Sequence, residues 1–291
     1  MRNFFLTKLH VNFFATCNPF QNVVTENVIT LLTQSKAAER IPVYTYDTEK
    51  QTFVLINYLD VSYCRQNLYN EIILGISPSV VAILNQMKYG TKPLSYYTVS
   101  KRGAEVSKKN IRKQQSTGSK SLIGMDVNKY HINWENTYLE HSNEEYQRLK
   151  DFFSQPMIYL RRVDNCLEAA YSDKEYAFNK NLYGIAIKND SEYSLLYLLG
   201  IINSTAANYY YKQRFSLKKG DAFPEIQTYL YEQIPIPQAS KKNQSLIESL
   251  VSDLLAGTDN SQKCYESLDN IIYQLYGLSA DEIDQIKNAR E

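Results

Sequence analysis

The chain has 291 residues, enough for one large or two ordinary domains, and its 44% apolar content supplies a core that excludes wholesale disorder. A formal net charge of +1 with 22% charged residues excludes a protein coated in positive charge, although it leaves room for one basic face. No run of 18 apolar residues occurs, and Met1 to Phe5 opens no long apolar stretch ending in small residues, so neither a membrane span nor a secretory signal is expected. Cys17, Cys64, Cys166 and Cys264 lie far apart and the three histidines are scattered, so no zinc site is read and a reducing, cytoplasmic setting fits. The 25 tyrosines are the oddity of the composition. A tyrosine is a flat apolar ring with a polar tip, which serves either packing or a wet recognition surface.

In chain order, Val11 to Phe14, Val23 to Leu32, Ile41 to Tyr46 and Phe53 to Tyr58 are apolar, β-branched or aromatic runs that read as strands. A meander of this kind has open edges and little core, so it needs a neighbour. A helix is expected from Ser79 to Met87, opened by Ser77-Pro78 and stopped at Tyr89-Gly90-Thr91. From Lys101 to Lys120 the chain carries seven basic residues, one acid (Glu105), two glycines and several serines, which reads as an exposed loop. Short strands follow at Leu122-Ile123 and Tyr130 to Trp134, then a helix from Asn143 to Phe153 capped by Ser142 or Asn143. Met157 to Arg162 and Gly184 to Lys188 are strand candidates. Leu195, Leu198, Leu199, Ile202 and Ala206 repeat at helical spacing, which predicts one helix from Ser191 to about Phe215 with an aromatic and basic end. A turn at Lys218 to Asp221 and the prolines Pro235 and Pro237 precede two or three closing helices, over Asn243 to Leu255, Ser261 to Tyr276 and Ala280 to Asn288, with Gly277 as a stop.

Several chemistries are missing. The ten glycines never form the clustered turn after a strand that lets a dinucleotide or S-adenosylmethionine approach the backbone. Asn18-Pro19-Phe20 has one proline where the loop of an adenine amino-methyltransferase has two, and an isolated Asn-Pro ordinarily marks a turn. No phosphate-binding Walker loop, Ser-His-Asp order or nuclease-like acidic cluster is found, and Asp281, Glu282 and Asp284 read as a solvated helix face. Accordingly no catalytic, cofactor-binding or metal-binding residue is assigned in this chain.

Four segments together resemble the specificity domain of TaqI-like DNA methyltransferases, a domain type that also closes type IIG restriction enzymes. They are Lys92 to Gly103, with a Pro-Leu pair leading to an Arg-Gly turn; Ile158 to Arg162 with Leu167 and Ala169 to Tyr171; Tyr197 to Ser204, with Phe223 to Ile226 and Ile234 to Pro237 beyond it; and Leu268 to Ser279. Each is common alone, but their order and spacing over residues 90 to 290 are specific. Residues 1–60 also look like the last strands of a methyltransferase domain, with Val28 to Leu32 as a central strand. The resemblance implies an α+β chain divided into terminal methyltransferase strands (1–60), a β-rich DNA target-recognition domain (61–240) and a C-terminal helical segment (241–291). It implies the recognition portion of an adenine-specific restriction-modification enzyme. Its partners would be double-stranded DNA and a methyltransferase catalytic domain, in the same parent chain or another subunit. S-adenosylmethionine would be used by the parent and not by this chain. The alternative is an assembly module of a phage-defence complex that does not read DNA.

A DNA reader needs cations for phosphates and forked donors for base edges. The candidates are Lys101, Arg102, Lys108, Lys109, Arg112 and Lys113 on the basic stretch, Arg161 and Arg162 on a strand, and Lys212, Arg214, Lys218 and Lys219 around the end of a helix. Arg161 and Arg162 are adjacent and point to opposite faces, so at most one reads DNA while the other pairs with an acid such as Asp164 or Glu168.

Overall fold

A computed structural model describes residues 1–17, 27–66, 72–106, 111–112, 118–214, 225–257 and 260–289. The architecture is α+β and divides into two compact units. The first comprises Met1–Leu84 with Gln213 and Arg214; the second comprises Asn85–Lys212 and the described residues beyond Phe223.

The first unit opens with helix α1 (Arg2–Lys8), followed by strands β1 (His10–Cys17), β2 (Asn27–Thr33), β3 (Arg40–Asp47) and β4 (Thr52–Asp60), then α2 (Val61–Gln66) and the start of α3 (Pro78–Lys88). The sheet order is β2-β1-β3-β4, with β1 and β3 parallel and the other pairs antiparallel. Leu6, Val11, Phe14, Ile41, Val43, Leu59, Val61 and Cys64 form its core. The two edge strands are unusual. Val28, Ile29 and Leu31 on β2, and Phe53, Val54, Leu55, Ile56 and Tyr58 on β4, are all exposed. Consecutive apolar residues point to opposite faces of a strand, so both faces of these strands lie open. The sparse core expected from the sequence is thus present. The two short helices α1 and α2 were not foreseen.

In the second unit a two-residue strand β5 (Lys92–Pro93) and a single helical turn α4 (Leu94–Tyr97) lead into β6 (Thr98–Arg102). Short strands follow: β7 (Ile111–Arg112), β8 (Ser119–Leu122), β9 (Val127–Asn128), β10 (His131–Ile132) and β11 (Tyr138–Leu139). Helix α5 (Glu144–Phe153) is capped by Asn143, whose Oδ1 accepts from the Glu145 N–H at 2.9 Å. Then come β12 (Met157–Arg161), β13 (Ala169–Ser172), β14 (Ala177–Phe178) and β15 (Leu182–Ile187). The antiparallel order β13-β12-β15-β6 makes the central sheet. Met157 and Tyr159 face a core built with Leu149, Phe152, Phe153 and Phe178. Ile158 and Leu160 face the other way, and α6 (Leu195–Ile202) packs against β12 and β13. Burial on both faces explains why β12 is apolar at four consecutive positions.

Helix α7 (Thr205–Arg214), α8 (Thr228–Tyr231), β16 (Pro235–Ile236), α9 (Lys241–Ala256), α10 (Ser261–Leu275) and α11 (Ala280–Asn288) complete the chain. Helix α9 packs on α6 at Gly200, where a Cβ would come within 2.9 Å of Ile247 Cγ2. Gly277 stops α10 with a φ of +67°, as the sequence predicts.

Two expectations are corrected. The single helix from Ser191 is two helices, α6 and α7. The break falls at Asn203 and Ser204, because the Asn203 side chain bonds the backbone of Ala169 and Asp269 caps the new helix through the Thr205 N–H (2.9 Å) and hydroxyl (2.5 Å). The stretch from Lys101 to Lys120 is not one loop. Lys101 and Arg102 end an edge strand and Ser119 to Leu122 form β8, each held by ladder bonds. Lys108, Lys109, Lys113, Lys218, Lys219 and the turn read at 218–221 lie outside the described residues.

Candidate nucleic-acid interface

One end of the central sheet brings together three of the twelve cations that the sequence singles out, Arg102, Arg161 and Arg162. Arg102 ends β6 opposite Tyr183, and Arg161 ends β12 opposite Leu182, so both flank the start of β15. Lys180 and Asn181 lead into that strand, and Arg162 donates its N–H to the Asn181 carbonyl at 2.9 Å.

The backbone here is locked. Ala104 donates to Phe178 O at 2.8 Å and accepts from the Lys180 N–H at 2.9 Å, while Gly103 donates to Leu182 O at 3.1 Å. A Cβ on Gly103 would lie 2.3 Å from Asn179 O and 2.5 Å from Phe178 O, so only glycine permits this approach. The Arg-Gly pair of the sequence is therefore a packing requirement and not a sign of a loose loop.

The charges are paired. Arg102 Nη2 contacts Glu105 Oε2 at 3.1 Å and its Nε donates to Lys180 O at 3.2 Å. Lys180 Nζ donates to Glu105 Oε1 at 2.6 Å. The Lys180 ammonium, with Arg102 and Arg162 near, holds the Glu105 carboxyl below the usual carboxylate range. Arg162 pairs with Glu225, which is positioned by an isolated bridge between Val163 and Glu225 and by the Ile226 N–H donating to Arg162 O at 2.7 Å. Arg161 pairs with Asp164 Oδ2 through Nε and with Glu168 Oε2 through Nη1, each at 3.1 Å, so it takes both of the acids offered for one of the two arginines. The sequence reading pairs only one of the two arginines with an acid, whereas both are paired, and it does not include Glu105, Lys180 and Glu225 in the site. The one sequence signal for them is that Glu105 is the lone acid of its basic stretch.

Asp164, Cys166 and Glu168 place their ligand atoms within 4.8 Å of one another. Arg161 already engages both carboxylates, so the group is an ion-pair cluster. Burial first, then Asp164 and Glu168, pushes the Cys166 thiol up to about 11.

Of the remaining candidates among the described residues, only Lys212 lies near this cluster, close enough to Cys166 for its charge to oppose the rise of the thiol. Lys101 is exposed, with Nζ 5.0 Å from the Phe152 ring centroid. Arg112 lies on β7, paired with Tyr138 of β11. Lys212 is half-buried at the end of α7, while the Arg214 side chain is buried. Tyr209, Tyr210 and Tyr211, read as an aromatic neighbourhood for these cations, are buried core residues.

Comparison with known proteins follows this geometry. Residues 119–236 match the family of the TaqI-like C-terminal specificity domain. RM.MjaORFECS2P of Methanocaldococcus jannaschii, named as a type II restriction enzyme and methyltransferase, is 25% identical over 92% of this chain, and the chain spans 25% of that protein's length. Among solved structures, the type IIL restriction-modification enzyme MmeI in complex with DNA superposes with a TM-score of 0.56 over 96% of this chain and 45% of its own, at 11% identity. The type IIG restriction endonuclease BpuSI aligns over 94% of this chain and 44% of its own, at 11% identity and a TM-score of 0.43. The MmeI likeness is one of fold.

Proposed function

We propose, from the match of residues 119–236 to the family of the TaqI-like C-terminal specificity domain, that this chain binds duplex DNA and selects the adenine that a methyltransferase modifies. The observation that carries this is the convergence of Arg102, Arg162 and Lys180 on one locked end of the central sheet. Forked donors on a rigid scaffold are what base reading requires. The basic residues Lys108, Lys109, Arg112, Lys113, Lys218 and Lys219 would supply phosphate contacts, which position the duplex without reading it.

In this reading methylation belongs to a catalytic domain outside this chain, which flips the adenine and takes the methyl group from S-adenosylmethionine. Residues 1–60 would be its terminal strands. The open apolar faces of β2 and β4 support that part of the reading, since strands apolar at consecutive positions suit a sheet covered on both sides. They equally favour the second reading, an assembly module.

Fluorescence anisotropy with a random 30-base-pair duplex separates the two readings. Recognition gives binding that weakens steeply between roughly 50 and 200 mM salt, because phosphate contacts release counterions. No binding at the lower salt favours assembly alone.

A further inference from the structure

We propose that Arg102 reads the edge of a guanine in the major groove and that Glu105 is the positioning residue that holds it ready to do so. The inference rests on the recognition reading above and assigns a role within it. It comes from how the guanidinium is held. Its side edge, Nε and Nη2, is occupied by the Lys180 carbonyl at 3.2 Å and by Glu105 Oε2 at 3.1 Å. Its far edge, with one N–H from each of Nη1 and Nη2, has no partner among the described residues, and the side chain stays 41% exposed. A fork presented in this way matches guanine O6 and N7.

Each element behind the fork is itself fixed. Lys180 holds the second oxygen of Glu105 at 2.6 Å. The Glu105 N–H donates to Glu145 Oε2 at 3.1 Å, and Arg148 holds that same oxygen at 2.8 Å. The strand end cannot shift without opening the Gly103 contact with Asn179 and Phe178. A phosphate contact needs none of this, since a mobile cation neutralises a phosphate as well. Carboxylates beside the cation also oppose a phosphate. Glu105 and Glu225 stand next to Arg102 and Arg162, which leaves geometry as the asset of this site.

The test starts from the duplex that the wild-type chain enriches out of a random pool. Affinities for that duplex and for a scrambled one are measured for wild type, R102K and E105Q. They are measured again with each guanine in turn replaced by 7-deazaguanine, which lacks the N7 acceptor. The account expects R102K and E105Q each to lower the ratio of enriched to scrambled affinity by about tenfold. It also expects one 7-deazaguanine position to cost wild type a similar factor and to cost R102K nothing further. E105Q removes only an exposed partner, so its thermal midpoint should match wild type. If E105Q instead tightens both duplexes equally, as loss of a negative charge beside a phosphate contact would, the proposal is overturned. An unchanged ratio in both variants overturns it as well, with the recognition reading intact. If the wild-type chain enriches no sequence, the recognition reading falls and this inference falls with it.

Discussion

Asn203 and Ala169 are joined as if by a strand: the Asn203 Oδ1 accepts from the Ala169 N–H at 3.0 Å, and its Nδ2 donates to the Ala169 carbonyl at 2.8 Å. Ala169 begins β13, the edge of the central sheet. Asn208 adds a third bond, with Oδ1 accepting from the Leu167 N–H at 2.7 Å. Two amides, one at the break between α6 and α7 and one on α7, thus cover an edge that would otherwise be open to pairing with another chain. Asn203 is fully buried, so N203A leaves the Ala169 N–H without a partner and opens a small void. A loss of about 2–4 kcal/mol in urea unfolding is expected. A loss under roughly 1 kcal/mol would show that the pairing is incidental.

Gly103 makes a second stability prediction. A methyl group at this position meets two backbone carbonyls at 2.3 and 2.5 Å, and neither can swing aside as a side chain would. G103A should cost about 1–3 kcal/mol and disturb the Arg102 contacts with it. A thermal melt indistinguishable from wild type would mean that the β6 end is loose, contrary to the ladder bonds that fix it.

The Cys166 thiol is raised to about 11, first by burial and then by Asp164 and Glu168. The thiolate is the reactive form, and an ordinary thiol near 8.5 is roughly one quarter ionised at pH 8. Cys166 should therefore react with iodoacetamide about two orders of magnitude more slowly than a free thiol at that pH. Its rate should keep rising as pH rises toward 11. D164N removes one of the two raising charges and should speed the reaction. Peptide mass spectrometry reads the modification, and a plateau in rate between pH 8 and 9 would contradict the assignment.

The basic stretch and Arg161 should behave in opposite ways. Replacing Lys108, Lys109, Arg112 and Lys113 by Ala should weaken DNA binding on every sequence. Each lost phosphate contact should lower the slope of log affinity against log salt by about 0.9. Arg161 is held by two carboxylates, so R161Q should leave that slope unchanged and act on stability instead. If the fourfold variant keeps the wild-type slope, those cations do not touch the backbone.

How far the sequence could be read depended on how local the cause was. Apolar runs pointed to β1, β3 and β4, and the closing helices α9, α10 and α11 were legible with Gly277 as a stop. Asp164 and Glu168 are legible as partners for one of the two neighbouring arginines because they are close in sequence, whereas only the structure shows that Arg161 takes both. The break between α6 and α7 was hidden, since apolar spacing runs unbroken from Leu195 to Ala206 and the break is made by Ala169 and Asp269, both distant in sequence. The same distance concealed the partners of Arg102 and Arg162. Lys180 and Glu225 come to them only when β6, β12 and β15 align. Lys101 and Arg102 were taken for loop because Gly103 looked like a flexible turn, whereas its missing Cβ is what allows tight packing.

The central claim is that this chain chooses a DNA sequence. The most direct measurement is selection from a pool of random duplexes by the purified chain at moderate salt, followed by sequencing of the bound fraction. Enrichment of one motif that contains an adenine and includes a guanine required for tight binding is expected. A bound fraction that stays random after repeated rounds, from protein that melts cooperatively and binds DNA, would contradict it.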